Sequence, residues 1–141
     1  MDTSSALPYE FGNSWSDFVR DWCLDAQIKY SQAETIRALE TLKRLWPENV
    51  AALVNQKARG ATIIVPAVDL GSLLADCEGV DSFPSVLERL KNGERSAYSE
   101  LVLVSSLLNL GYKASFAASL EGKNLDAKCE VEKQVLYFEV A

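Results

Sequence analysis

The last third of the chain decides its fold, and it opens at residues 94–111 with the stretch ERSAYSELVLVSSLLNLG. On a wheel of about 100° per residue, this stretch is an amphipathic helix. Its polar side holds Arg95, Ser99, Ser105, Ser106 and Asn109. Glu100 falls instead on the apolar stripe, beside Val104 and Leu107. Burial of an unpaired carboxylate is unfavourable by several kcal/mol, so Glu100 must be paired, metal-bound or protonated.

Beyond Gly111 the pattern changes from helical spacing to the alternation of strands. Strands are predicted at residues 112–118, 125–131 and 135–140, with turns at residues 121–124 and 132–133. Asp126 and Lys128 share one face of the second strand, and Glu139 lies on the third. A helix and two strands therefore each carry an acid, and we expect Glu100, Asp126 and Glu139 to converge on one metal ion.

The residues before this region have mostly helical patterns. Ser14 with Asp17, and Ser31 with Glu34, have the spacing of N-terminal capping boxes. The predicted elements are a loose lead-in at residues 1–13, helices at residues 14–30, 31–46, 48–59, 69–77 and 84–91, and an extended segment or strand at residues 61–65. A soft boundary near residue 80 divides the chain into a helical region, residues 1–80, and a core, residues 81–141. The expected fold class is α+β (α/β).

Composition limits the chemistry that the chain can perform. Its net charge of −6 makes it a poor generic binder of nucleic acid, and the absence of histidine excludes imidazole-based triads and zinc ligands. Cys23, Cys77 and Cys129 lack a CxxC spacing and are expected to be reduced thiols. The longest uncharged apolar stretch, residues 101–112, is too short to cross a bilayer, and no signal peptide is evident. We therefore expect a cytoplasmic protein with no membrane partner.

The order helix, strand, strand, strand with these acids resembles the restriction-endonuclease-like superfamily, the PD-(D/E)XK nucleases, over residues 83–141. In that family an Asp begins the second core strand, an acid-x-Lys triplet lies on the third, and a helical Glu often completes the site. The resemblance implies that Asp126, Glu139 and Glu100 take these roles. It further implies an Mg²⁺ or Mn²⁺ cofactor, which polarises a phosphodiester of DNA and lowers the pKa of a bound water.

The chain departs from the family pattern in two ways. The triplet reads Glu139-Val140-Ala141, so alanine stands where the family has lysine. Lys128, which shares a strand face with Asp126, is the candidate for a migrated catalytic lysine. The family fold normally continues with a further helix and strand. The resemblance therefore implies a truncated chain, a decayed gene product or a fold completed by another chain, with an exposed third strand that favours self-association. As a metal-dependent phosphodiesterase, the chain as given is expected to be incomplete or inactive.

Ordinary structural roles compete with these assignments. Asp126 and Glu139 can be solvent-facing strand residues, and Glu100 can pair with a Lys or Arg of the N-terminal helices. The competing function is a non-catalytic α+β protein-interaction module, whose helices dock a partner while the strands support them.

Two further residue sets bear on nucleic acid as a partner. Basic residues of the second helix suit a solvated face better than a phosphate-binding patch, and the tryptophans suit a core better than platforms for bases. These sets are Arg37, Lys43 and Arg44, and Trp15, Trp22 and Trp46.

Overall fold

The computed structural model describes residues 14–56, 60–120 and 122–140, so the expected lead-in at residues 1–13 lies outside the described residues. The described elements are α1 (Trp15–Ala26), α2 (Gln32–Leu45), α3 (Pro47–Gln56), α4 (Ala61–Cys77), α5 (Phe83–Lys91), α6 (Arg95–Asn109), β1 (Lys113–Leu120), β2 (Lys123–Val131) and β3 (Gln134–Phe138). Helices thus come first and strands last, which confirms the α+β class. No helix among the described residues is long and apolar enough to cross a membrane.

The chain divides into two compact units, Met1–Ala75 and Asp76–Ala141, which we call the N-terminal unit and the C-terminal unit. Helix α4 contributes its last two residues, Asp76 and Cys77, to the C-terminal unit. The candidate site acids all belong to the C-terminal unit.

The first two helices of the N-terminal unit begin at the predicted caps. The backbone N–H of Glu34 donates to Ser31 Oγ at 3.1 Å, and the backbone N–H of Ser31 donates to Glu34 Oε1 at 2.9 Å, which is the predicted capping box. Ser14 Oγ accepts from the backbone N–H of Asp17 at 3.2 Å. These caps satisfy N–H groups that have no partner within the helix.

The predicted strand at residues 61–65 is wrong, because this stretch opens α4, which also includes the helix predicted at residues 69–77. Ile64 and Val68 are both buried and lie four residues apart, the spacing of one helix face. Their burial outweighs the β-branched composition of the stretch, since strand propensity depends on packing context. Pro66 is accommodated inside the helix.

Close approach of two helices forms the centre of the N-terminal unit. At Gly71 of α4, an added Cβ would lie 2.3 Å from the carbonyl oxygen of Ala38 in α2, so only glycine fits. Trp22 is buried, stacked on Phe18 with ring centroids 5.4 Å apart, and it meets Trp15 edge-on at 5.9 Å. This packing agrees with the core role expected for Trp22.

The C-terminal unit contains a three-stranded antiparallel sheet in the order β1-β2-β3, with α6 packed against β1 and β2 and α5 packed against α6. In the register, Phe116 opposes Ala127, and Ala127 opposes Phe138. Phe116, Ala127 and Cys129 are buried on one face, while Asp126 and Lys128 lie on the other, as the alternation of β2 predicted.

The third strand is shorter than predicted. The turn at residues 132–133 joins β2 to β3, but β3 ends at Phe138. Glu139 therefore lies one position beyond the strand, whereas the alternation placed it on the strand. The paired register ends at Ala127 and Phe138, and Glu139 follows it.

One assignment on α6 is also corrected. The helical wheel placed Ser105 on the polar side, but this residue is buried, and its Oγ donates to Asp76 Oδ2 at 2.7 Å. Asn109, one turn later, contacts the same oxygen at 3.4 Å. The end of α4 thus supplies a carboxylate that makes burial of the serine hydroxyl favourable.

Candidate functional site

Glu100 lies on the buried face of α6, as the wheel predicted, with Ala97, Leu101 and Val104. Its carboxylate is paired with Arg89 of α5 through two hydrogen bonds, from Nη2 to Oε1 at 2.5 Å and from Nη1 to Oε2 at 3.0 Å. This bidentate geometry is the strongest that a guanidinium and a carboxylate form. Pairing was one of the three states expected for Glu100, and the partner comes from α5 rather than from the N-terminal helices.

Local structure explains how Arg89 reaches Glu100. Helix α5 ends at the Asn92-Gly93 pair, where Gly93 adopts a φ of +86°, and the backbone N–H of Glu94 returns to the carbonyl of Arg89 at 3.0 Å. This tight connection folds α6 back against α5, so that residues eleven apart in sequence meet. Arg89 Nη1 also contacts Glu94 Oε2 at 3.4 Å. The hydrogen bonds to Glu100, and less strongly the contact with Glu94, raise the pKa of Arg89.

Asp126 is half-buried on the polar face of β2, and its Oδ2 accepts the backbone N–H of Val140 at 2.6 Å. The other carboxylate oxygen of Asp126, Oδ1, has no hydrogen bond to the described residues. Ala117, which the register sets opposite Asp126, has a left-handed φ of +53°, and the paired residues of β1 and β2 skip this position. Backbone strain of this kind is uncommon for alanine and is concentrated at functional positions.

A cavity of about 370 Å³ brings part of the predicted site together. It is lined by Arg89, Glu100, Ala117, Asn124, Leu125 and Asp126. Glu100 and Asp126 therefore share one cavity. Glu139 is exposed and is not among the residues that line it. No group of three or more His, Cys, Asp or Glu residues able to hold a metal occurs in the described part of the chain, so the expected convergence of three acids is not found there.

Lys128 faces a different cavity. That cavity, of about 440 Å³, is lined by Gly79, Val80, Asp81, Leu108, Tyr112, Lys113, Ala114, Ser115, Lys128 and Glu130. Lys128 shares a sheet face with Asp126, as predicted, but it does not line the acid cavity. Lys128 therefore lines a different cavity from the one that Glu100 and Asp126 share.

The donor set of the acid cavity fits a hydrated divalent cation in its chemistry. Mg²⁺ takes oxygen ligands and is commonly held by one or two carboxylates, with water in its other positions. Asp126 Oδ1 and the two Glu100 oxygens are donors of this type. Both Glu100 oxygens are engaged by Arg89, so a cation can reach Glu100 only if the guanidinium moves.

Arg89 was missed at the sequence level. The stripe of α6 required Glu100 to be paired, metal-bound or protonated, and α5 offers Arg89 one turn after the buried Val86. This spacing places Arg89 beside the buried face of α5 and was the available signal. Because Lys91 lies on the same helix, the sequence did not choose between the two basic residues.

The N-terminal unit holds a polar cluster of a different kind. Lys29 Nζ donates to Asp69 Oδ1 at 2.8 Å, and Tyr30 Oη donates to the same oxygen. Burial, followed by the hydrogen bond to Asp69, raises the pKa of Tyr30 to about 12. Although burial alone would raise the pKa of Asp69, the hydrogen bonds from Lys29 and Tyr30 lower it. The cluster connects the segment after α1 to α4, and its role is structural.

One basic residue of α2 has a structural role in the N-terminal unit. The Nζ of Lys43 lies 4.5 Å from the centroid of the Trp15 ring, and Trp15 Nε1 donates to Glu40 Oε2 at 2.6 Å. A cation over an indole face is attracted by the ring quadrupole. Lys43 thus contacts the protein itself and is not simply part of a solvated face.

No protein-family model, no curated protein and no solved structure matches this chain.

Proposed function

We propose that the C-terminal unit is a nuclease-like domain whose Glu100 and Asp126 hold a hydrated Mg²⁺ or Mn²⁺ ion. One observation carries the proposal: α6 and β2 present these two carboxylates to the same cavity. Glu139, which follows β3 and is exposed, is proposed as an additional ligand if residues 139–140 extend β3. The partner would be a phosphodiester of nucleic acid, and the expected cytoplasmic location remains a prediction.

The roles of the chain's own residues follow from their chemistry. A bound divalent cation would polarise a phosphate oxygen and lower the pKa of a coordinated water. Asp126, fixed by the backbone N–H of Val140, would orient the ion through Oδ1. Arg89 supplies the positive charge of the cavity and is a bidentate partner for a phosphate group. Lys128, on the same sheet face as Asp126, is proposed to substitute for the lysine that Ala141 replaces.

Binding of the cation alone is the primary test. Calorimetric titration with Mn²⁺ should give one site, which Asp126→Asn abolishes. Glu130→Gln is the matched control. Glu130 lies four residues after Asp126 on the same face of β2, but it lines the other cavity. Absence of heat with the unaltered chain, or an unchanged site in Asp126→Asn, would contradict the proposal.

Cleavage is expected to be negligible even with the cation bound. Ala141 stands in the lysine position, and the loss of a positioned acid–base group typically lowers a rate by about 10²–10⁴-fold. The measurement is nicking of supercoiled plasmid with Mg²⁺. Nicking that both Asp126→Asn and Glu139→Gln abolish would refute this expectation, and Lys128→Ala would then test the substitute lysine.

A second candidate function is the non-catalytic protein-interaction module. It is favoured by the fact that both cavity acids already have protein partners, Arg89 for Glu100 and the Val140 backbone for Asp126. On this reading Glu100 joins α6 to α5, Asp126 joins β2 to the segment after β3, and neither acid has a ligand. A chain that is fully folded yet silent to Mn²⁺ would favour this function.

A further inference from the structure

We propose that Arg89 is an exchangeable counter-ion, which neutralises Glu100 in the cation-free protein and leaves it when a divalent cation binds. This inference rests on the proposed function and adds its regulation. Among the six residues that line the acid cavity, Arg89 alone carries a positive charge, while Glu100 and Asp126 carry negative ones. The guanidinium thus stands where a cation would be attracted.

Arg89 and a cation compete for the same atoms. The two hydrogen bonds from Arg89 engage Oε1 and Oε2 of Glu100, and the Glu100 side chain is only 2% exposed. Mg²⁺ requires ligand oxygens at about 2.0–2.1 Å, and a guanidinium held against the same carboxylate would repel it as a like charge. Cation binding to Glu100 therefore requires the bidentate pair to open.

The geometry also provides a route for the displaced side chain. Arg89 is 33% exposed, and its Nη1 already contacts Glu94 Oε2 at 3.4 Å. The Glu94 side chain is 51% exposed. Arg89 can therefore keep an ionic partner at the rim of the cavity after it releases Glu100, which limits the desolvation penalty of the exchange.

If this exchange occurs, substitution of Arg89 should lower the stability of the cation-free protein and strengthen cation binding. Arg89→Met removes the competitor and leaves the Glu100 carboxylate buried without a partner, so the variant should melt at a lower temperature than the unaltered chain when no cation is present. It should bind Mn²⁺ at least about tenfold more tightly, because the energy that separated Arg89 from Glu100 no longer opposes binding. Its melting temperature should also rise more steeply with Mn²⁺ concentration.

Arg95→Met is the matched control. Arg95 is an exposed arginine at the start of α6 and does not line the acid cavity. It should bind Mn²⁺ as the unaltered chain does, so a change seen in both variants would report only the loss of one positive charge from the protein and would overturn the assignment to Arg89.

A measurement on the unaltered chain covers the case in which Arg89→Met does not fold. In ¹⁵N-resolved NMR spectra, titration with diamagnetic Mg²⁺ should move the Nε–Hε resonance of Arg89 and leave that of Arg95 in place. An Arg89 resonance that stays fixed while Asp126 signals report saturation would overturn the exchange and leave the proposed function standing. Absence of any Mg²⁺ or Mn²⁺ binding to the unaltered chain would overturn both.

Discussion

The two units of the chain hold charged side chains in contrasting ways. In the N-terminal unit, Lys29 and Asp69 form an ion pair in which the side chains are 54% and 30% exposed. In the C-terminal unit, Arg89 meets a Glu100 carboxylate that solvent hardly reaches, and the pair lines a cavity. Exposed pairs contribute about 0–1 kcal/mol, whereas breaking a buried pair costs about 3–5 kcal/mol. The first arrangement fastens the segment after α1 to α4, and the second neutralises a desolvated carboxylate beside a cavity.

Loss of the Arg89–Glu100 pair should destabilise the protein most. Arg89→Met should lower the free energy of unfolding of the C-terminal unit by about 3–5 kcal/mol without divalent cation, because Glu100 is left buried and unpaired. Urea unfolding followed by far-UV circular dichroism measures this loss. Arg95→Met should change stability by no more than about 0.5 kcal/mol. Equal effects of the two substitutions would remove the contrast between buried and exposed charges.

A smaller loss of stability is expected when the close packing of α2 and α4 in the N-terminal unit is disturbed. Gly71→Ala should lower the free energy of unfolding by about 1–3 kcal/mol, since the new methyl group overlaps the carbonyl of Ala38. All three tryptophans lie in the N-terminal unit, so their fluorescence reports its unfolding alone. Gly79→Ala is the control, because no atom lies within 4 Å of its added Cβ, and its unfolding is followed by far-UV circular dichroism because Gly79 lies in the C-terminal unit. A neutral Gly71→Ala would show that α2 and α4 separate easily.

A smaller effect concerns the polar cluster of the N-terminal unit at alkaline pH. The pKa of Tyr30 is raised from 10.0 to about 12, so the folded state holds this proton more tightly than the unfolded state. Its stabilising contribution is complete below about pH 10 and disappears as the pH rises to about 12. In Tyr30→Phe, the melting temperature followed by tryptophan fluorescence should fall less steeply across this interval. Identical slopes would show that Tyr30 is not coupled to folding.

The smallest effect concerns the edge of the sheet. Strand β3 pairs with β2 on one side, and its Val135 and Leu136 are 44% and 45% exposed. Unpaired edges with apolar side chains recruit other strands, so sedimentation velocity should show weak, concentration-dependent self-association. Val135→Lys should reduce it, while Lys133→Gln in the adjacent turn should not. A chain that sediments as a monomer at high concentration would refute this prediction.

Features that depend on neighbouring residues were predictable. The capping box of Ser31 and Glu34 follows from side-chain chemistry within a few positions. The turn at residues 132–133 follows from the alternation on either side of it. The stretch at residues 61–65 was not predictable in this way, because its β-branched residues favour a strand locally. Burial of Ile64 and Val68 on one face of α4 decided the outcome.

The candidate site was predictable only in part. The polar-face position of Asp126 followed from alternation along β2, but Ser105 was misplaced because its partner, Asp76, comes from another helix. A helical wheel ranks side chains by polarity and contains no information about what packs against them. A buried hydroxyl with a carboxylate partner therefore looks, in the sequence, like an exposed one.

The period of the hydrophobic pattern was enough to predict that helices precede strands and that Glu100 lies on the apolar side of α6. That Arg89 neutralises Glu100, that Asp126 shares their cavity and that Lys128 lines another one is evident only in the folded chain. These outcomes depend on how α5, α6 and β2 pack, and a difference of one helical turn would bring other charges together. Periodicity is a property of one element, whereas a site is formed by several.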